Sequence, residues 1–458
     1  MRQRLKFATL ALVVLMLTSL LAACGSNSGD SSAEPSNEGK TTSSDSATTG
    51  AVTLKIYSDG NRAQDTNFLD LIDAFKKDTG INVELNIIPG DGVEIYKKID
   101  IELGTQDSST DLILLTNPIF LDKYTKSNSL LPLNDLIKEQ NYDAEGKFGK
   151  YLSEYNGNIY SLPAGAGNWA VYYNKKVFDD ANVPYPSGAW TWDQYIETAK
   201  KLTDKSKGIY GSYTLDYDNY MYFTARQKDV PGYKEDGTSN YDDPAFKEAL
   251  QFFGDLGNVH KVQPSWMEFK TKKLAWDGFM SGKYGMHVIG SWYTNMFLDK
   301  ESYPRDWEFG ITELPTPADG SGNNNIGVVN GIGANVNTKH PKEAFEFIKY
   351  FAENNYKFVG DLPARVDLTE DDVQGLFKDI SDRLAGEVTV DQLSKALYNN
   401  GLGFADEKIV GPAASEYSNI ILQESELYLI GQKSLEDTVK IIKERVDQAI
   451  AAEKANQP

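Results

Sequence analysis

Beyond residue 51 the apolar and polar positions switch between two periods. Val52, Leu54 and Ile56 in VTLKIYS (52–58) share one face at period two, which predicts a strand. Phe68, Leu71, Ile72 and Phe75 then fall at helical spacing, with Asp65 or Thr66 as the cap and Gly80 as the stop. NVELNII (82–88) predicts a second strand, and Val93, Tyr96, Ile99 and Leu103 mark a second helix. DLILL (111–115) is a continuous apolar run, the pattern of a strand covered on both faces. The order β-α-β-α-β predicts a parallel, right-handed, doubly wound sheet. Ligands of such sheets bind beyond the carboxyl ends of the strands, which here are Asp59 to Arg62, Pro89 to Gly92 and Thr116 to Pro118.

A second region, 163–314, is mixed in pattern and holds all seven tryptophans, at 169, 190, 192, 266, 276, 292 and 307. Helices are predicted at 242–256, where Pro244 suits a first turn, and at 340–353. Near the end, Ser434 and Asp437 form a capping box ahead of an apolar stripe of Leu435, Val439, Ile442, Val446 and Ile450.

The start of the chain is of another kind. MRQRLK is followed by an apolar run, Phe7 to Leu21, of 15 residues, short of the ~20 that a membrane-crossing helix needs. Residues 1–23 are therefore expected to be a signal peptide. Leu21-Ala22-Ala23-Cys24 resembles the bacterial lipobox, and Cys24 is the only cysteine; lipidation of that thiol is the expectation. Residues 25–50 carry no aromatic or large aliphatic side chain, so 24–50 is expected to be a flexible tether of about 30 Å mean reach. The formal charge of −20 becomes −23 once Arg2, Arg4 and Lys6 leave with the signal. Such acidity argues against nucleic acid, whose phosphates demand a basic surface. The expected location is the outer face of the cell membrane, held by the lipid alone.

The chemical motifs mostly fail on context. Gly165, Gly167 and Ala170 spell G-x-G-x-x-A, but NWAVYYN follows and reads as a strand, where a phosphate turn needs a helix. GFMSGKY (278–284) is too short for a phosphate loop, and Tyr284 stands where a serine or threonine would be needed to hold magnesium. His260, His287 and His340 have no zinc spacing. Asp216, Asp218 and Glu370 to Asp372 lack the glycine of a calcium loop and read as a solvated acidic face. No cofactor, metal ion or catalytic residue is assigned.

The stretches FLDLIDAFKKDTGINVEL (68–85), DLILLTNP (111–118), YNGNIYSLPAGAGNWAVYYNKKVFDDANVPYP (155–186), FMSGKYGMHVIGSWY (279–293) and GVVNGIGANVNTKHPKEAFEFIKYFAE (327–353) stand in the order found in one family. The chain resembles the bacterial extracellular solute-binding proteins of ABC importers, in particular the carbohydrate-binding, maltose-binding-protein-like group. The resemblance implies an α/β fold of two doubly wound lobes joined by a hinge, the type II periplasmic-binding-protein arrangement, with a ligand cleft between the lobes. It also implies three crossings, at 159–163, 311–317 and 359–365. The lobes would be 51–162 with 315–360, and 163–314 with 361–458.

A pyranose offers an apolar C–H face and a rim of hydroxyls, which aromatic faces and planar polar side chains match. On that ground Trp169 and Trp292 are expected to stack on sugar, with Tyr172 beside them. Asn61, Arg62, Asp111, Asn117, Asn330 and Arg365 are expected to meet hydroxyls. Trp276 is assigned to packing. The function implied is capture of a carbohydrate, an oligosaccharide in first place, by a monomer that closes on it and delivers it to the importer's permease subunits. The alternatives are an anchored glycosidase or polysaccharide lyase, or the same fold binding iron, polyamine or peptide.

Overall fold

The computed structural model of the chain describes residues 52–60, 62–89, 92–317, 326–359, 362–398 and 405–456. The expected signal, Cys24, the tether and Asn61 lie outside them. Among the described residues there are nine strands: β1 Thr53–Ser58, β2 Asn82–Ile87, β3 Leu112–Leu115, β4 Ser161–Asn174, β5 Tyr210–Tyr213, β6 Tyr284–Gly290, β7 Phe309–Glu313, β8 Ile326–Ala334 and β9 Ala405–Asp406. Among the described residues no helix is long and apolar enough to cross a membrane.

The first lobe follows the sequence pattern closely. β1 pairs in parallel with β2 and β3. Between them runs the helix Thr66–Thr79, capped by Asp65, whose carboxylate accepts from the backbone of Asn67 and Phe68, and ended by Gly80 at φ 76°. That left-handed conformation carries no penalty in glycine. Period two divides the strand residues between two faces. Leu54, Ile56 and Leu112 pack with Phe68, Phe75, Phe345 and Phe351 on one side, while Tyr57, Ile113, Ile99 and Tyr124 pack on the other. Helices therefore cover both faces. Phe75 meets Phe347 edge-on at 4.9 Å, and full burial of each such ring stabilises by about 1.5–3 kcal/mol.

The sheet is not parallel throughout. β8, from far down the chain, inserts between β3 and β4 and runs antiparallel to both. The path is β2-β1-β3-β8-β4-β6-β5, with β7 also on β4 and β9 on β8. β4 is the element shared by the two lobes. Ser161 to Asn168 pair with β8, whereas Trp169 to Tyr173 pair with β6, and β7 lines the other side from Ala170 to Asn174. A bulge separates Pro163 from Gly165, where the proline lacks a donor for the ladder. Leu362, in the segment expected as the third crossing, accepts from Ala166 N–H of the same strand at 3.0 Å.

The second lobe is built on aromatics: Trp169, Tyr172, Tyr195, Tyr213, Phe253, Phe279, Tyr293 and Phe309 belong to one buried cluster. His287 lies within it, fully buried; burial holds its imidazole down at about 3 despite an Nδ1 contact with Tyr213 O at 2.9 Å. The acidic residues depart from the sequence reading in one place. Asp372 serves a capping box with Thr369, as part of a first turn, but Asp218 is buried and paired with Lys408 at 2.7 Å. It is a core ion pair, not solvated surface. GFMSGKY is a 3-10 turn, Gly278–Ser281, leading into β6.

A second buried pair fixes the loop before β7. Arg305 grips Glu387 through both terminal nitrogens at 2.6 Å each, and Glu387 also accepts from Phe309 N–H at 2.6 Å. Both side chains are under a tenth exposed, at 5% and 7%. Removing one partner leaves the other charged and unpaired in the core. Glu387→Ala is expected to destabilise the protein by about 3–5 kcal/mol, measured as a lowered urea midpoint. A midpoint equal to the wild type's would mean that water reaches the pair.

Candidate functional site

The lobe-joining stretch of β4 explains its own glycines. Gly167 lies on β4 just before the strand changes sheets, and Gly290 ends β6 opposite Trp169. A Cβ on Gly167 would stand 2.7 Å from the Trp292 ring, and one on Gly290 would stand 2.0 Å from it. The two glycines therefore make a bare backbone floor on which the Trp292 indole lies. Trp169 closes one side of that seat, its ring perpendicular to Trp292 with centroids 5.7 Å apart. Trp292 is half-buried. An indole held flat at one face and edge-on at one side keeps little rotational freedom, which suits a stacking surface.

Trp169 is fully buried. Its indole N–H donates to Glu407, and Tyr220 and Phe223 pack on it at 5.3 and 4.9 Å. It supports Trp292 from the side and presents no face of its own. Tyr172 is likewise fully buried; it shares a hydrogen bond with the Thr294 hydroxyl at 2.8 Å and stacks on Phe297 at 5.5 Å. The expectation that both reach a cleft is corrected on two grounds. Neither is exposed, and residues 169 and 172 lie on opposite faces of the strand at period two.

At the carboxyl ends of the first lobe's strands, Arg62 opens a short 3-10 turn with its guanidinium over Phe68 at 5.0 Å, and its N–H donates to the Asp59 carboxylate at 2.7 Å. Tyr96 stands nearby, hydrogen-bonded with Thr116 at 2.8 Å and stacked on Phe120 with centroids 3.6 Å apart. Burial pushes the Tyr96 phenol up, against the Thr116 bond and the Arg62 charge. Asn117 caps the helix Pro118–Lys126, its Oδ1 accepting from Ile119 N–H at 3.0 Å. Asn330 is half-buried on β8, opposite Gly165. Arg62, Tyr96 and Thr116 thus gather at one end of the sheet.

Two expected residues stand elsewhere. Asp111 is at the amino end of its strand, with one oxygen accepting from Lys55 N–H at 2.9 Å and the other from the Thr338 hydroxyl at 2.5 Å. Both oxygens serve the fold, so the carboxylate is a backbone anchor. Arg365 is bound through Nε and one terminal nitrogen to Asp367 at 2.6 Å each, with Glu353 at 3.6 Å. The Asp367 bonds and charge push its guanidinium up. It ties its own segment to Asp367 and to the helix that carries Glu353.

Sequence reasoning missed the residues through which the lobes touch. Asn295, three residues after Trp292, donates to Asp65 at 2.9 Å and accepts from Asn67 at 2.6 Å. Arg383 donates to Asn67 Oδ1 at 2.6 Å and to Phe358 O at 3.1 Å. On another side, Lys126 of the first lobe meets Asp122 at 2.8 Å and Glu453 at 3.1 Å. Tyr303 lies at the same junction; burial, then Asp299, Asp65, Asp277 and Asp59, push its phenol up. Trp276 packs edge-on against Tyr293 at 5.1 Å, as the packing assignment has it. The one signal for Asn295 was its place one helical turn beyond Trp292.

Residues 59–357 match the family described as bacterial extracellular solute-binding protein. Among curated relatives, a putative binding protein of Brucella abortus is 23% identical over 61% of this chain and 66% of its own length. The arabinooligosaccharide-binding protein of Halalkalibacterium halodurans is 27% identical over 48% of this chain and 49% of its own. The chain thus spans about half to just under two thirds of the length of these relatives. Among solved structures, an ABC substrate-binding protein of Listeria monocytogenes in complex with cycloalternan superposes with TM-score 0.71 at 20% identity, over 88% of this chain and all of that one. Maltose-bound MalE3 of T. maritima gives 0.68 at 19% identity, over 87% and all of it. Their fold is the two-lobed type II arrangement built here around β4. The chain belongs to the bacterial extracellular solute-binding protein family.

Proposed function

We propose that this protein captures a carbohydrate, an oligosaccharide in first place, between its two lobes and delivers it uncut to the permease of an ABC importer. The observation that carries the proposal is the seating of Trp292: a half-buried indole on the backbone of Gly167 and Gly290, within one helical turn of the Asn295 that touches the other lobe. Arg62, Asn117 and Asn330, with Thr116 and Tyr96, are the polar groups assigned to hydroxyls. Asn61 is assigned with them from its place in the sequence. The named ligands of relatives and neighbours, arabinooligosaccharide, maltotriose, maltose and cycloalternan, favour a saccharide over iron, polyamine or peptide.

The mechanism follows from the contacts. Asp65 and Asn67 belong to one lobe, Asn295 and Arg383 to the other, and their hydrogen bonds exist only when the lobes are together. A ligand that touches both lobes adds differential affinity for that arrangement and shifts the population toward it. The lobe boundaries proposed for this motion are 51–162 with 315–360, and 163–314 with 361–458. We assign residues 1–23 to a signal peptide and Cys24 to the lipid anchor, with 24–50 as the tether and the protein acting as a monomer.

Three outcomes follow. Trp292→Ala is expected to abolish binding of whichever sugar in a panel of maltose, maltotriose, arabinooligosaccharides and cycloalternan binds the wild type, with unchanged far-ultraviolet circular dichroism. Retained affinity would remove that residue from the site, and cleaved sugar at catalytic turnover would replace capture by hydrolysis. Gly290→Ala adds one methyl under the Trp292 ring and is expected to weaken binding of that sugar at least tenfold by isothermal titration calorimetry; wild-type affinity would mean that the indole's seat is immaterial. Cys24→Ser is expected to shift the protein from the membrane fraction to the medium and to end palmitate labelling. Persistence in the membrane would exclude a lipid anchor at that residue.

A further inference from the structure

The second lobe buries more charge beneath Trp169 than packing alone requires. Glu407 follows directly on β9, the short strand that pairs in parallel with the start of β8, Ala405 beside Ile326 and Asp406 beside Gly327. Its N–H donates to Gly327 O at 2.8 Å, and its side chain, itself only 4% exposed, accepts the Trp169 indole N–H. The Lys408 ammonium stands 3.8 Å from the other carboxylate oxygen and pairs at 2.7 Å with Asp218. Asp218 also accepts from the Tyr222 hydroxyl at 2.9 Å. Asp406 takes Lys408 N–H at 2.8 Å on its carboxylate, and its carbonyl takes two donors of Arg226, at 3.0 and 3.1 Å. The groups facing Glu407 are therefore Trp169 from β4, Lys408 and Asp406 from its own segment, and Asp218, Tyr217, Tyr220 and Tyr222 from the turn after β5.

We infer that Glu407 is a positioning residue for the ligand platform: its buried carboxylate holds the Trp169 indole by the N–H, and Trp169 in turn fixes the edge of Trp292. The inference rests on the proposal that Trp292 is the stacking surface. The chain of contact is short and continuous, from carboxylate to indole N–H to perpendicular indole to the half-buried indole of Trp292. A bond from N–H to a charged acceptor is stronger than one to a neutral acceptor. The platform is then held most firmly when Glu407 is ionised.

Ionisation of this group falls in a useful range. Burial pushes the Glu407 carboxyl up to about 7, helped by Asp406 and Asp218 and opposed by Lys408 and the Trp169 bond. Burial also pushes Asp406 up to about 6, so the difference between wild type and Glu407→Gln carries the reading, because glutamine copies the shape and neutral charge of the protonated acid. The signs for platform and stability are opposite. A carboxyl with a folded value raised from 4.5 to about 7 favours the fold while protonated, and that contribution is lost as pH rises from 4.5 through 7. Platform rigidity grows over the same interval. A merely structural carboxylate would move stability alone.

The test is a pH series from 5 to 8.5 on wild type, Glu407→Gln and Trp292→Phe. The near-ultraviolet circular-dichroism difference between wild type and Glu407→Gln, in which the aromatic side chains away from the indole pair cancel, is expected without any ligand to shift with a midpoint near 7. Affinity for the panel sugar that binds best is expected to fall about tenfold from pH 8 to pH 5.5 in the wild type, one charged hydrogen bond exchanged for a neutral one. In Glu407→Gln it is expected to be low at every pH, although that variant has the higher melting temperature at pH 8. A wild-type pH profile in Glu407→Gln, by either readout, overturns the inference. Loss of sugar binding in Trp292→Phe with no effect of Glu407→Gln keeps the platform and rejects its support. Failure of every sugar to bind the wild type rejects the carbohydrate reading, and the near-ultraviolet series then still decides whether Glu407 sets the indole pair.

Discussion

Ser161 pairs with Gly333 at one end of β4 and Asn174 pairs with Phe309 at the other, so one fourteen-residue strand is hydrogen-bonded into both lobes. The rest of the architecture is a consequence of that sharing. Because the strand changes partners between Asn168 and Trp169, the side chains at the change sit at the boundary between two cores: an aliphatic and phenylalanine-rich one around Phe75 and Phe347, and an aromatic one around Trp169 and Tyr293. The bulge at Ala164 and the absent N–H of Pro163 relax the ladder on the first-lobe side of that change.

What the sequence made legible was local. The helix Thr66–Thr79 was written in its spacing, in Asp65 and in Gly80, and the terminal helix Leu435–Asn456 in Ser434 with Asp437 and its stripe of valines and isoleucines. β8 was not, in the sense that no pattern says a strand from residue 326 will insert antiparallel beside β3; partner choice is a long-range property. The site divides in the same way. Trp292 and the glycine of GAGN were visible as residue types, but the relation between them, an indole lying on Gly167, is a contact 125 positions apart in the chain and leaves no local trace.

The misplaced expectations share one cause. Asp111, Arg365 and Tyr172 carry side chains suited to sugar hydroxyls, but each finds a partner inside the protein first: Lys55 and Thr338, Asp367, and Thr294 respectively. A buried polar group without a partner costs about 1–3 kcal/mol, so folding satisfies such groups before a ligand arrives. Glu407 shows the converse. In sequence it is one acid among 66, yet its burial against an indole N–H makes it part of the machinery beneath the platform.

Capture as proposed requires two lobes that close around an intact saccharide held on Trp292. Solution X-ray scattering of residues 51–458, recorded with and without a saturating saccharide that binds, tests this most directly. Closure gives a smaller radius of gyration with sugar present, restored to the free value when the sugar is dialysed away and recovered unaltered. A radius that saturating sugar leaves unchanged would mean one rigid body, and would contradict capture by closure.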